Sequence, residues 1–213
     1  VLESVDRIRK PSTKIHLFGV ARPEAIPTFM KLGVNSIDSA RFLRQAWLSA
    51  TSNYYSGDPT KFLENAADEE TGNGRYTAIR IPPIYREGRT TVIGKAKKLV
   101  DEGHSVEKLE AIEKKTLDLV HAFDRGEADL EKTLAAIVEY DQLMGGDVRN
   151  EPLYRQLLEN KPWKQCPCDV CKATGIDVVI FRRNNRNRRR GFHNTWWFFE
   201  YFKQVTTAEP VEV

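Results

Sequence analysis

The chain has 213 residues, of which 40% are hydrophobic and 30% charged, with a formal net charge of +3. That balance excludes a low-complexity or disordered chain, and no apolar run nears the roughly 18 residues of a membrane span. With no apolar leader in its opening VLESVDRIRK, the sequence predicts a cytoplasmic protein with no membrane partner.

The first 50 residues read as two strand and helix alternations. KIHLFGV (14–20) is a short apolar strand ending near Gly19, and RPEAIPTFMKLG (22–33) is a helix with Pro23 in its first turn and Gly33 as its cap. GVNSID (33–38) repeats the strand, and a turn leads to a helix carrying Phe42, Leu43, Ala46 and Trp47 at helical spacing. Such alternation implies an α/β fold with a parallel sheet and ligands at the strand C-termini. Two units cannot close a sheet, so residues 1–50 are expected to belong to a larger α/β domain.

Residues 51–75 are polar and rich in Gly, Asn and Asp, which predicts a loop, and RYTAIRIPP (75–83) alternates like a strand stopped by prolines. Residues 51–93 are therefore expected to hold loop and short strands. From Gly94 to Leu143 apolar residues recur at three- and four-residue spacing, broken at Asp124, Arg125 and Gly126. The pattern predicts an antiparallel helical hairpin or small bundle, within a helical insertion over 94–160. His16, His104 and His121 have no ligand-like setting and read as ordinary side chains.

The last segment, 161–213, carries all three cysteines. Cys166, Cys168 and Cys171 form C-x-C-x-x-C, and His193 lies 22 residues further on, before the aromatic helical run NTWWFFEYF. An odd number of cysteines within six residues argues against a disulfide framework. Three thiolates and one imidazole complete a tetrahedral zinc shell, whose role in a closed site is structural. Reduced buried cysteines and an iron–sulfur cluster are the alternatives, although three local cysteines fall short of the usual four cluster ligands. The spacing favours zinc.

Between these ligands, Arg182, Arg183, Arg186, Arg188, Arg189 and Arg190 crowd nine positions, interleaved with Asn184, Asn185 and Asn187. A charge run is most often a solvated face. Here almost no acid interrupts it and metal ligands flank it, so contact with nucleic-acid phosphates is expected.

Together C-x-C-x-x-C with a distant His-Asn, LFGV (17–20), the Pro23–Glu24 pair and GVNSID (33–38) resemble the C-terminal half of the tRNA-guanine transglycosylases. The resemblance implies the C-terminal part of a TIM-type (β/α)8 barrel with a helical insertion and a zinc-binding subdomain. It implies an enzyme that exchanges guanine for a 7-deazaguanine base through a covalent glycosyl-enzyme intermediate. On the matching positions Asp38 becomes the nucleophile, Phe18 a base-stacking residue where the family has methionine, and Gly19 and Val20 part of the base pocket. The family loop P-T-R-x-A-R-N-G corresponds here to RFLRQAWLS, in which Arg44 and Ala46 match but Trp47 replaces the second arginine. That departure and the arginine-rich segment resemble the DNA-modifying paralogues more closely, so DNA is the favoured polymer and tRNA the alternative. The first six barrel strands are not in this chain, so the resemblance implies a partner N-terminal half, in cis or as a separate chain, and allows a homodimer. Without that half, the alternative function is a zinc-stabilised nucleic-acid-binding fragment with no catalysis of its own.

Overall fold

The first two strands lie side by side in parallel: β1 (Ile15–Leu17) pairs with β2 (Val34–Ile37), placing His16 opposite Ser36 and Leu17 opposite Ile37. The structure is a computed structural model and describes residues 1–20, 22–58, 74–85, 89–182 and 186–207. A short helix α1 (Leu2–Ile8) precedes β1, and α2 (Ile26–Lys31), entered through a 3-10 turn over Pro23–Ala25, connects the two strands. Gly33 takes φ +68°, the left-handed turn that lets the chain leave α2 and enter β2 directly. After β2 comes α3 (Arg41–Leu48), which buries Phe42 and Ala46. Past the shift in register between Ile15 and His16, Leu17 and Ile37 are half-buried while His16, Phe18, Ser36 and Asp38 are exposed, which sorts a covered face from an open one; before it, Val34 is half-buried and Asn35 exposed. Among the described residues this sheet has two strands.

Two readings of the next segment are corrected. The expected loop over 51–75 contains a strand, β3 (Tyr54–Ser56), antiparallel to β4 (Gly74–Tyr76); residues 59–73 lie outside the described residues. The single strand expected over 75–83 is broken after Tyr76, because β5 (Ile79–Arg80) leaves β4's sheet to pair in parallel with β6 (Ile180–Phe181). Asn53 makes the break: its backbone N–H donates to the Tyr76 carbonyl at 2.9 Å, and its side-chain oxygen accepts the Ala78 N–H at 3.0 Å.

Helices α4 (Gly94–Asp101), α5 (Val106–Arg125), α6 (Leu130–Leu143) and α7 (Asn150–Asn160) follow. Ser105 caps α5 by accepting the Lys108 N–H at 3.2 Å, and Asp129 caps α6 by accepting the Lys132 N–H at 2.8 Å. Gly126, at φ +82°, ends α5 where the sequence breaks its pattern. Leu109, Val120, Phe123, Leu134, Ile137 and Tyr140 meet across the hairpin in the main core. Asp124, at the end of α5, accepts from the Trp163 indole at 2.7 Å and the Ile176 N–H at 3.2 Å, tying the hairpin to the cysteine segment. None of the described helices is long and apolar enough to cross a membrane.

The chain closes with α8 (Pro162–Gln165), α9 (Asp169–Thr174), a 3-10 turn over Gly175–Val179, β6, and the long α10 (Arg186–Thr207). One face of α10 is polar and buried. Arg190, 0% exposed, donates through Nε to the Ala46 carbonyl at 3.0 Å and through Nη1 to those of Ile180 at 3.2 Å and Val178 at 3.4 Å. Ala46 lies in the last turn of α3, where helix carbonyls have no intrahelical partner and the helix dipole favours a cation. Burial lowers the guanidinium to about 9, which leaves it charged at neutral pH. One turn on, the Asn194 amide donates to the Asn53 carbonyl at 2.9 Å and that of Phe42 at 3.4 Å, and its oxygen accepts the Tyr55 N–H at 3.4 Å. Beyond these, Trp197 and Tyr201 pack with Ile26, Phe42 and Tyr55 in a second core, and the Tyr201 hydroxyl donates to the Pro23 carbonyl at 2.8 Å.

Replacing Arg190 with leucine keeps the volume apolar but strands buried carbonyls, each costing about 1–3 kcal/mol. Urea unfolding of Arg190→Leu is therefore expected to show a loss of about 3 kcal/mol or more, and a change within about 0.5 kcal/mol would contradict this role.

Candidate functional site

The cysteine segment is short, but its turns bring three sulfurs to one point. Cys166 terminates α8 in extended conformation, and Cys168 is the N-cap of α9, where its sulfur accepts the Cys171 N–H at 3.3 Å. His193 reaches them from α10. Its Nδ1 lies 3.5 Å from Cys166 Sγ, 3.4 Å from Cys168 Sγ and 3.3 Å from Cys171 Sγ, and all four ligand atoms fall within 4.8 Å of one another. A tetrahedral ion with metal–sulfur bonds of about 2.3 Å and a metal–nitrogen bond of about 2.0–2.1 Å requires sulfur–nitrogen edges of about 3.5 Å. The donor set fits that shell.

The surroundings orient the ligands. His193 Nε2 lies 2.6 Å from the Tyr55 carbonyl, which can only accept, so Nε2 carries the proton and Nδ1 turns its lone pair to the sulfurs. The Tyr54 ring stacks on the imidazole at 4.1 Å and 8°, and its hydroxyl lies 3.3 Å from Cys171 Sγ. Burial, and next the Cys171 thiolate, push that hydroxyl well above its ordinary range, so it stays a protonated donor to sulfur. Without a cation the three thiols cannot all ionise. Hydrogen bonds accepted from Cys166 and Cys171 hold Cys168 low, whereas donating to the sulfurs of Cys166 and Cys168 keeps Cys171 protonated and pushes it up. Burial lowers the His193 imidazole, but its hydrogen bonds to the sulfurs of Cys166 and Cys168 outweigh it and raise the group to about 9. Protons and metal therefore compete for these four atoms.

A second cluster stands on the open face of the β1–β2 sheet, at its C-terminal end. Asp38 follows β2 directly, and its side chain is 59% exposed. The α3 N-cap position is Ala40, and Ser39 Oγ accepts the Arg41 N–H at 3.1 Å, so Asp38 is not a helix cap. Instead its Oδ1 accepts the Gly19 N–H at 2.6 Å. Gly19 has φ +69°, and among the described residues other than its two chain neighbours no atom lies within 4 Å of where a Cβ would stand. Phe18 is 80% exposed beside it, and Val20 is half-buried. The structure thus brings Phe18, Gly19 and Asp38 together. Arg44 is exposed on α3.

The arginine run divides. Arg182 and Arg190, expected to meet phosphates, are buried instead: Arg182 forms an ion pair with Glu113, and Arg190 binds the carbonyls of Ala46, Val178 and Ile180. Folding around β6 and α10 turns both guanidinium groups inward. Arg188 and Arg189 are exposed, with Arg189 3.2 Å from Asp177. Arg183 lies outside the described residues, and Arg186 opens α10.

Sequence reasoning missed Tyr54, Tyr55, Asn194 and His16. Tyr54 and Tyr55 lie in what reads as a polar loop, and no local signal marks them. His16 alternates with Phe18 along β1, a period-two signal that places both on one face.

No protein-family model matches the chain. Over 185 residues, 85% of its length, the chain is 35% identical to a DNA-guanine transglycosylase of Salmonella montevideo, and spans 40% of that protein. The resemblance to the transglycosylases, and to their DNA-modifying paralogues in particular, is borne out by this relative.

Metal analysis is expected to find about one tetrahedrally bound ion per chain, lost in Cys171→Ser. Chelation should lower the unfolding temperature of the unaltered chain and leave that of Cys171→Ser in place. A metal-free preparation as stable as the loaded one would refute the site.

Proposed function

We propose that this chain is part of a transglycosylase that replaces guanine in DNA with a 7-deazaguanine base, with Asp38 as its nucleophile and zinc held by Cys166, Cys168, Cys171 and His193. The similarity to the DNA-guanine transglycosylase carries the reading, and the carboxylate at an open strand end supports it. Since the chain spans 40% of that relative, the remaining barrel strands are supplied in cis or by a separate chain, with a homodimer as one form of the assembly. The setting is cytoplasmic, where thiolates stay reduced.

In this reaction one Asp38 oxygen attacks C1′ of the nucleotide as the bond to guanine breaks, and guanine leaves with the electron pair. The centre is oxocarbenium-like, so an adjacent carboxylate stabilises it before the covalent bond forms. Guanine takes up a proton from solvent; the incoming base then attacks C1′ through its ring nitrogen, gives that nitrogen's proton to solvent and releases the carboxylate, so the strand is never cut. The Gly19 N–H holds Oδ1 at 2.6 Å and leaves Oδ2 to attack. A guanine in a duplex must first be flipped out, and exposed Phe18 offers a flat surface to stack on it. Zinc contributes folding free energy and takes no part in the exchange. Exposed Arg188 and Arg189 bind phosphates, with Arg44 nearer the strand ends on α3. A second reading, a zinc-stabilised DNA-binding fragment without catalysis, is favoured only by the 40% span.

In the intact protein, Asp38→Asn is expected to lower incorporation of a labelled 7-deazaguanine into DNA on the order of a thousandfold while leaving DNA affinity within about threefold. Exchange at the unaltered rate would place the nucleophile elsewhere. Arg188→Ala with Arg189→Ala should weaken binding alike on all sequences and flatten the slope of log K against log salt by about 0.9 for each phosphate no longer neutralised. An unchanged slope would assign the pair to a solvated face.

A further inference from the structure

His16 faces the same open strand end as Asp38. In β1 it stands opposite Ser36 of β2, and its Nδ1 lies 2.8 Å from Ser36 Oγ. Its Nε2 is 3.9 Å from Asp38 Oδ1, and its ring meets Phe18 edge-on at 4.3 Å. Asp38, just past β2, is two residues from Ser36, as Phe18, just past β1, is from His16, so the four side chains share one face.

We propose that His16 is a positioning residue for Asp38: Ser36 holds its ring, and Nε2–H steers the carboxylate so that one oxygen is held and the other attacks. The inference rests on Asp38 being the nucleophile. The tautomer follows from charge. With the proton on Nδ1, the Nε2 lone pair would face a carboxylate; with the proton on Nε2, the ring donates toward Oδ1 while Nδ1 accepts the Ser36 hydroxyl. At 3.9 Å the Nε2 contact is electrostatic rather than a hydrogen bond. Rotation of the exposed Asp38 side chain closes it, as contacts in ligand-free sites tighten around a bound substrate. Oδ1 then has two donors, Gly19 N–H and His16 Nε2–H, and the free oxygen is aimed at C1′. Phe18, packed on the imidazole, would keep the ring in this pose while its outer face takes the base.

Two variants, one with glutamine and one with asparagine, separate positioning from packing. Glutamine places an amide N–H near the Nε2 position, whereas asparagine reaches only the Nδ1 position. In the intact protein, His16→Asn is expected to lower kcat on the order of a hundredfold with KM within about threefold, as for a nucleophile displaced by an ångström, and His16→Gln should recover at least about tenfold of that loss. Equal loss in both variants, or a change in KM alone, would overturn the proposal. Nitrogen NMR of histidine-labelled chain supplies a readout that needs no turnover: His16 should carry its proton on Nε2, and Asp38→Ala should mix the tautomers. A proton on Nδ1 in the unaltered chain would also overturn it. If the unaltered protein exchanges no base, the proposed function falls, while the NMR result still decides the orientation of His16.

Discussion

A buried polar face on α10 holds the rest of the molecule in register. Arg190, His193 and Asn194 sit within about one turn of one another, and each bonds to backbone groups far from it in sequence. Arg190 reaches α3, β6 and the turn before it, His193 reaches β3 and the cysteines, and Asn194 reaches α3 and the β3 segment. A buried charge with no carboxylate partner among the described residues is tolerated because several carbonyl dipoles converge on it, one of them at a helix C-terminus. The helix can approach this closely because Gly191 faces α3: a Cβ there would come within 2.8 Å of Leu43 Cδ1 and 3.1 Å of the Leu43 carbonyl oxygen.

The metal centre depends on that face as much as it supports it. His193 is both a ligand and a stitch, since its other ring nitrogen donates to Tyr55. Tyr54 and Tyr55 alternate across β3, so one ring stacks on the ligand imidazole while the other packs into the second core with Trp197. An ion held by these four residues would couple the cysteine turns, β3 and α10 into one unit, which is how a structural ion adds stability to a segment with little core of its own.

The strand-end cluster obeys a different constraint. Its residues are exposed because β1 and β2 carry their apolar side chains on the opposite face, and the parallel pairing puts His16, Phe18, Ser36 and Asp38 on the open one. A carboxylate held at one oxygen by a backbone N–H and left free at the other is suited to attack an electron-poor sugar carbon. The arginine-rich segment has a divided role for the same reason of placement: helix α10 turns Arg190 toward carbonyls and leaves Arg188 and Arg189 outside.

Local pattern alone identified the short strands ending near Gly19 and Asp38, the helices broken at Gly126, and the four residues that the structure gathers into a candidate metal site. Each depends on spacing within a few residues or on the identity of soft ligands, and spacing is written in the chain. The resemblance that singled out Asp38 was likewise carried by short motifs. The break between Tyr76 and Ile79 was not legible, because it arises from two strand partners far apart in sequence, Tyr54–Ser56 and Ile180–Phe181. Nor could the crowded arginines of 182–190 be sorted by their own composition: burial is set by what packs against a side chain, and only the tertiary structure brings the carbonyls of Ala46, Val178 and Ile180 to Arg190, the carboxylate of Glu113 to Arg182, and the imidazole of His16 to Asp38.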